Sequence, residues 1–133
     1  MTRPKKLPQW IALALVAAFF TSGCSTAPTA PRLARHVVLM WLKHPRRAAD
    51  RAQLVRAARG LRMIPGVLDV ETGRDLPSAM PPVEPNFDLA VVITFRDRAA
   101  LARFEKSPRH HAALGKYVRP LVRRSEAYDL DAR

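Results

Sequence analysis

FDLAVVITF, residues 87–95, is the stretch on which the fold turns. Phe87, Leu89, Val91, Ile93 and Phe95 alternate with Asp88, Ala90, Val92 and Thr94. That period of two predicts a strand. Upstream, VLDVETG (67–73) reads as a weaker strand. The proline-rich stretch between them, with Pro77, Pro81, Pro82 and Pro85, is long for a hairpin connection. Pro65-Gly66 ends a helical pattern that runs from Pro45 to about Met63. Leu54, Ala57, Ala58, Leu61 and Ile64 share one face there, with Arg56 and Arg59 opposite. Before it, HVVLMWLK (36–43) reads as the first strand. Downstream, Asp97 caps a short helix to about Lys106. Ser107 and Pro108 start a second helix to about Val118. Residues 121–130 close the chain as a strand.

The order β-α-β-β-α-β predicts an α+β, ferredoxin-like domain, an antiparallel sheet with helices on one face. The first strand is apolar on both sides: Val38, Met40 and Leu42 on one, Val37, Leu39 and Trp41 on the other. The helices cover one side only. A second copy is the simplest cover for the other, which predicts a homodimer closed into an α/β barrel.

The start of the chain has a different character. Arg3, Lys5 and Lys6 precede an apolar run from Trp10 to Phe20, then Thr21, Ser22, Gly23 and Cys24. A basic start, a short apolar run and small residues predict an export signal over residues 1–23. The run is too short for a span, which needs roughly 20 residues. Gly23-Cys24-Ser25 resembles the lipobox of bacterial lipoproteins, with Thr21 where that pattern usually has Leu. The resemblance implies cleavage before Cys24 and a lipidated Cys24. An uncleaved anchor and an ordinary signal with a chance cysteine are the other readings. Residues 24–34, rich in Ser, Thr, Ala and Pro, form a tether, and residues 35–133 a single domain. Ser25 is not the Asp of an inner-membrane retention signal. The expected place is therefore the outer membrane facing the periplasm, with the inner membrane and cell surface as alternatives.

The whole chain carries 23 Lys and Arg against 11 Asp and Glu. An excess of this sign often means nucleic acid. Here no basic–aromatic motif accompanies it, and an exported protein does not meet the chromosome, so no nucleic-acid partner is expected. Attraction to anionic headgroups is compatible with the charge. Cys24 is the single cysteine, so no intrachain disulfide can form.

HVVLMWLK, IPGVLDVETGRDL (64–76), FDLAVVITF, SPRHHAALGKYVRPLV (107–122) and YDLD (128–131) resemble, in order and spacing, the stress-responsive A/B barrel (Dabb) family. The resemblance implies a dimeric α+β barrel and a stress-related role. Plant polyketide cyclases of that family bind their substrate between sheet and helices, using two His and a Tyr. Their first His falls on His36 and the second, in a Pro-x-His piece, on His110. Their Tyr falls on Phe104, so the phenol is missing here.

The residues point the same way by themselves. His36 alternates with Val38 and Met40, and His110 opens a helix, where the partial positive charge favours neutral imidazole. The two are expected to meet beside Met40, Val91, Ile93, Phe95 and Phe104 in an apolar pocket. His110 would be the base and His36 its hydrogen-bonding partner. The plainer reading makes His36 a strand-end residue, His110 a helix-start residue and the apolar set ordinary core. No metal site or cofactor is expected, and no nucleophile pattern or phosphate loop is present. Three functions follow: a membrane-tethered domain binding a small apolar or aromatic molecule, a cyclase- or lyase-like enzyme, or a non-catalytic interaction module.

Anchoring can be tested at once. Acyl chains contribute roughly 0.8 kcal/mol per buried CH₂, so a lipidated Cys24 should hold the protein in the membrane fraction. Cys24→Ala should move it to the soluble fraction in cell fractionation. Equal membrane attachment of both forms would exclude acylation as the anchor.

Overall fold

A computed structural model describes residues 32–76 and 86–132. The export signal, Cys24 and most of the tether lie outside the described residues, as does the loop from Pro77 to Pro85.

Strand β1 (Leu33–Leu42) is followed by helix α1 (Ala48–Gly60), which tightens into a 3₁₀ turn at Leu61–Met63. Then come β2 (Val67–Gly73), β3 (Leu89–Phe95) and α2 (Arg98–Glu105). Helix α3 starts as Pro108–Ala113, widens into a π-helical turn at Leu114–Val118 and ends as Arg119–Leu121. Strand β4 (Val122–Ala132) closes the fold. The sheet order is β2-β3-β1-β4, with every neighbouring pair antiparallel. This is the ferredoxin-like α+β fold that the order of elements predicts. Among the described residues no helix is long and apolar enough to cross a membrane.

Local chemistry sets the ends of these elements. The Ala100 N–H donates to Asp97 Oδ1 at 2.6 Å, the expected cap of α2. Ser107 sits at the cap of α3 with Pro108 behind it, but its side chain makes no capping bond. Pro120 lacks the N–H that would reach the Lys116 carbonyl, which suits a widened turn just before it. β3 begins at Leu89 rather than Phe87. There Asp88 leaves the ladder to bind β1: its N–H donates to the Met40 carbonyl at 2.9 Å, and its Oδ2 accepts from Leu42 N–H at 2.8 Å. β1 starts two residues before the expected domain boundary at 35, because Ala34 is buried opposite Phe95.

The core lies between sheet and helices. Phe95, Phe104, Leu42, Leu89 and Ile93 are its largest fully buried side chains. The rings of Phe95 and Phe104 meet edge to face at 5.0 Å. Such pairs contribute about 0.5–1.5 kcal/mol beyond the area they bury. On the other sheet face, Val37 stands in register with Val92 and Tyr128, and Leu39 with Ala90 and Glu126. Tyr128 and Leu130 are about half exposed there. Trp41 departs from the sequence expectation. It points to this outer face but is already buried, with the Arg124 guanidinium 4.5 Å from its ring centre.

The turn into β2 is tight and closely packed. The Val67 N–H donates to the Ile64 carbonyl at 3.1 Å, with Pro65 and Gly66 between. Gly66 has φ +94°, and proline followed by a positive-φ glycine is the chemistry of a type II turn. A Cβ on Gly66 would lie 2.7 Å from the Cβ of Ala100, a fully buried residue of α2. Gly66→Ala should therefore cost about 2 kcal/mol or more, from strain and the clash together. A urea denaturation series should show the midpoint fall with the slope unchanged.

Candidate functional site

β1 presents Ala34, His36, Val38 and Met40 to the helices, since alternate residues share a face. The inner sheet face and helices α1 and α3 border a cavity of about 260 Å³, open to solvent on the β4 side where Ser125 and Ala127 are exposed. His36, Val38 and Met40 line it from β1, Val91 and Ile93 from β3, and Ser125 and Ala127 from β4. Leu54, Ala58 and Leu61 close it from the α1 side, and His110, Leu114 and Val118 from α3. The widened turn of α3 supplies the last two. The wall is apolar apart from two imidazoles and the Ser125 hydroxyl.

His36 pairs across the sheet with Asp129 of β4. Its Nδ1 lies 2.7 Å from Asp129 Oδ1. The Nδ1–H donates to the carboxylate, a charge-assisted bond that fixes the ring and leaves Nε2 for a ligand. His110 is the third residue of α3. Its ring stacks on Phe104 with centroids 4.3 Å apart. Its Nδ1–H donates to the Glu105 carbonyl at 3.5 Å, a long bond that selects the tautomer with the lone pair on Nε2. Burial holds the His110 pKa below its ordinary 6.5, with His36 and His111 adding repulsion and Glu105 partly offsetting it. His110 is therefore neutral near pH 7. The sequence leads to the same protonation state through the helix terminus, whereas desolvation is the larger cause here.

Phe104 joins the two imidazoles. Besides stacking on His110, its ring lies 6.1 Å from that of His36. Of the residues singled out from sequence, the structure brings His36, His110, Met40, Val91 and Ile93 to one cavity. Phe95 and Phe104 do not line it: both are fully buried, packed on each other in the core that backs His110. His111, adjacent in sequence, is exposed and does not line the cavity, though its ring centre lies 5.9 Å from that of His110.

Asp129 and Ser125 escaped the sequence reading. The signal was available in part: both residues fall on the inward alternation of β4 once its register with β1 is known. Among the described residues, no three His, Cys, Asp or Glu side chains gather as a metal cluster.

The family described as Stress responsive A/B Barrel Domain matches residues 34–132. A search of curated proteins gives no match. Several solved structures share the fold. A Dabb family protein with a ferredoxin-like fold from Mesorhizobium loti is 24% identical with a TM-score of 0.62, covering 74% of this chain and 95% of its own. A dimeric ferredoxin-like protein of unknown function from Thermobifida fusca is 21% identical with a TM-score of 0.59, covering 75% and 91%. The hydroxynitrile lyase from Passiflora edulis is 20% identical with a TM-score of 0.67, covering 77% and 95%. At these identities the likeness is one of fold.

Proposed function

This chain belongs to the stress responsive A/B barrel domain family, and from that premise we propose that it binds a small, largely apolar molecule whose one polar group sits between His36 and His110. The observation that carries the reading is that both imidazoles line the same cavity. An apolar cavity of about 150 Å³ takes benzene, so about 260 Å³ has room for a ring with a short side chain. Nε2 of neutral His110 is an acceptor, and the ligand group facing it is a donor such as a hydroxyl.

A second reading is proton-transfer catalysis, favoured by the His36–Asp129 hydrogen bond. A neutral imidazole facing a carboxylate-oriented one is the pairing a base and its partner require. The hydroxynitrile lyase shows that this fold can house an enzyme. Phe104, where the resemblance to cyclases has Tyr, offers no hydroxyl for a carbonyl oxygen and weighs towards binding. In this reading of the whole protein, the domain works as a homodimer through its outer sheet face. Lipidated Cys24 tethers it to the outer membrane on the periplasmic side.

Para-ethylphenol is a suitable probe, with a ring, a short chain and one donor. His110→Ala should weaken its binding several-fold, for a lost hydrogen bond of about 1 kcal/mol, without lowering the denaturation midpoint. Binding needs neutral His110, whose pKa is held below 6.5. Affinity should therefore stay level as pH falls through 6.5 and decline only below it, as His110 takes a proton. Unchanged affinity in the variant would remove His110 from the site. For assembly, Val37→Glu puts a charge at the centre of the outer face and should convert dimer to monomer in analytical ultracentrifugation. An unmutated protein that sediments as a monomer at micromolar concentration would refute the dimer.

A further inference from the structure

Beside the histidine cavity lies a larger groove, about 700 Å³, between α1 and α3. Two facing helical stripes build it, Gln53, Arg56, Ala57 and Gly60 on one side and Arg109, Ala112, Ala113 and Lys116 on the other. The groove and the cavity share a partition of Ala57, Leu61 and Ala113. Two of these three side chains are single methyl groups, so little matter separates the two spaces. The groove wall holds three cations, Arg56, Arg109 and Lys116, and no carboxylate. Among the described residues none of the three forms an ion pair. Lys116 rests its ammonium 5.2 Å from the Tyr117 ring centre instead. Met63, on the same rim, leaves its apolar side chain largely exposed.

We propose that the ligand is an anionic amphiphile, with its apolar body in the histidine cavity and a carboxylate, sulfonate or phosphate held in this groove by Arg56, Arg109 and Lys116. The inference rests on the ligand-binding reading of the cavity and narrows the chemical class. Three cations with no ion-pair partner among the described residues repel one another, and an anion among them relieves that repulsion while gaining charge-assisted hydrogen bonds. Arg56 and Arg109 come from opposite walls, so one anion can be gripped from both sides. An anion placed here also keeps its charge out of the apolar cavity, where desolvation would oppose it. Solvent-exposed headgroups of a membrane would satisfy the charge, but they leave unexplained why the cations border the thin partition of Ala57, Leu61 and Ala113 in front of an apolar void.

The test compares para-hydroxyphenylbutanoate with its neutral methyl ester, by equilibrium dialysis against the full chain in phosphatidylcholine vesicles, with protein-free vesicles as blank. The acid should bind about tenfold more tightly than the ester. In the Arg56→Gln/Lys116→Gln variant that ratio should fall towards one. Gly60→Trp fills the groove, where a Cβ meets nothing within 4 Å, and should also abolish the preference for the acid. Equal binding of acid and ester by the unmutated protein, or a preference that survives both variants, overturns the proposal and leaves the cavity reading intact. Failure of both probes to bind overturns the cavity reading and the proposal together. Replacing part of the phosphatidylcholine with phosphatidylglycerol should leave the preference in place. Its loss there would assign the cations to anionic lipid and overturn the proposal.

Discussion

The register of β4 on β1 is the constraint from which the site follows. Side chains alternate along a strand, so a slip of one residue would turn Ser125, Ala127 and Asp129 away from the helices. In the observed register His36 meets Asp129, Val38 meets Ala127 and Met40 meets Ser125. Small residues on β4 thus stand opposite larger ones on β1, and that mismatch of size leaves space below the helices. The same register sets the aim of His36, because its Nδ1 reaches the Asp129 carboxylate at 2.7 Å. Near Trp41 and Leu42 the pairing shifts, and Leu42 pairs with Val122. Leu42 therefore stays in the core while Trp41 goes under Arg124 on the outer side.

The second support comes from the helices through Phe104. Its ring is fully buried against Phe95 and serves as a floor for His110. A Tyr in its place would bring a hydroxyl needing a hydrogen-bond partner in a packed core. Phe104 fits without one, and stacking leaves His110 half-buried with its pKa held down by desolvation. The state of the imidazole is thus a product of packing rather than of a charged neighbour.

Much of this was legible in the residues. The alternation of Phe87 to Phe95, the Asp97 cap, the Pro65-Gly66 break and the order of elements all report local physics, and local physics decided those elements. Joining His36 with His110, Met40, Val91 and Ile93 also came within reach, because face-sharing follows from alternation. Asp129 and Ser125 did not, since a partner across a sheet is set by a register joining residues some ninety positions apart. The cover over Trp41 was hidden for the same reason: Arg124 lies on another strand. The π-helical turn at Leu114–Val118 had only Pro120 as a hint.

β4 is a long edge strand, and an unguarded edge invites further strands to add without limit. This one carries Arg123, Arg124, Glu126, Asp129 and Asp131 along its length. Mixed charge of that density penalises a second strand laid alongside, whose side chains would have to match or displace ions already paired, Arg124 with Glu126, Asp129 with His36 and Asp131 with Arg98. Growth of the sheet sideways, the route to fibrils and insoluble aggregates, is thereby made costly. A protein held at high local density on a surface, as a tethered domain would be, has most to gain from edges that do not recruit their neighbours.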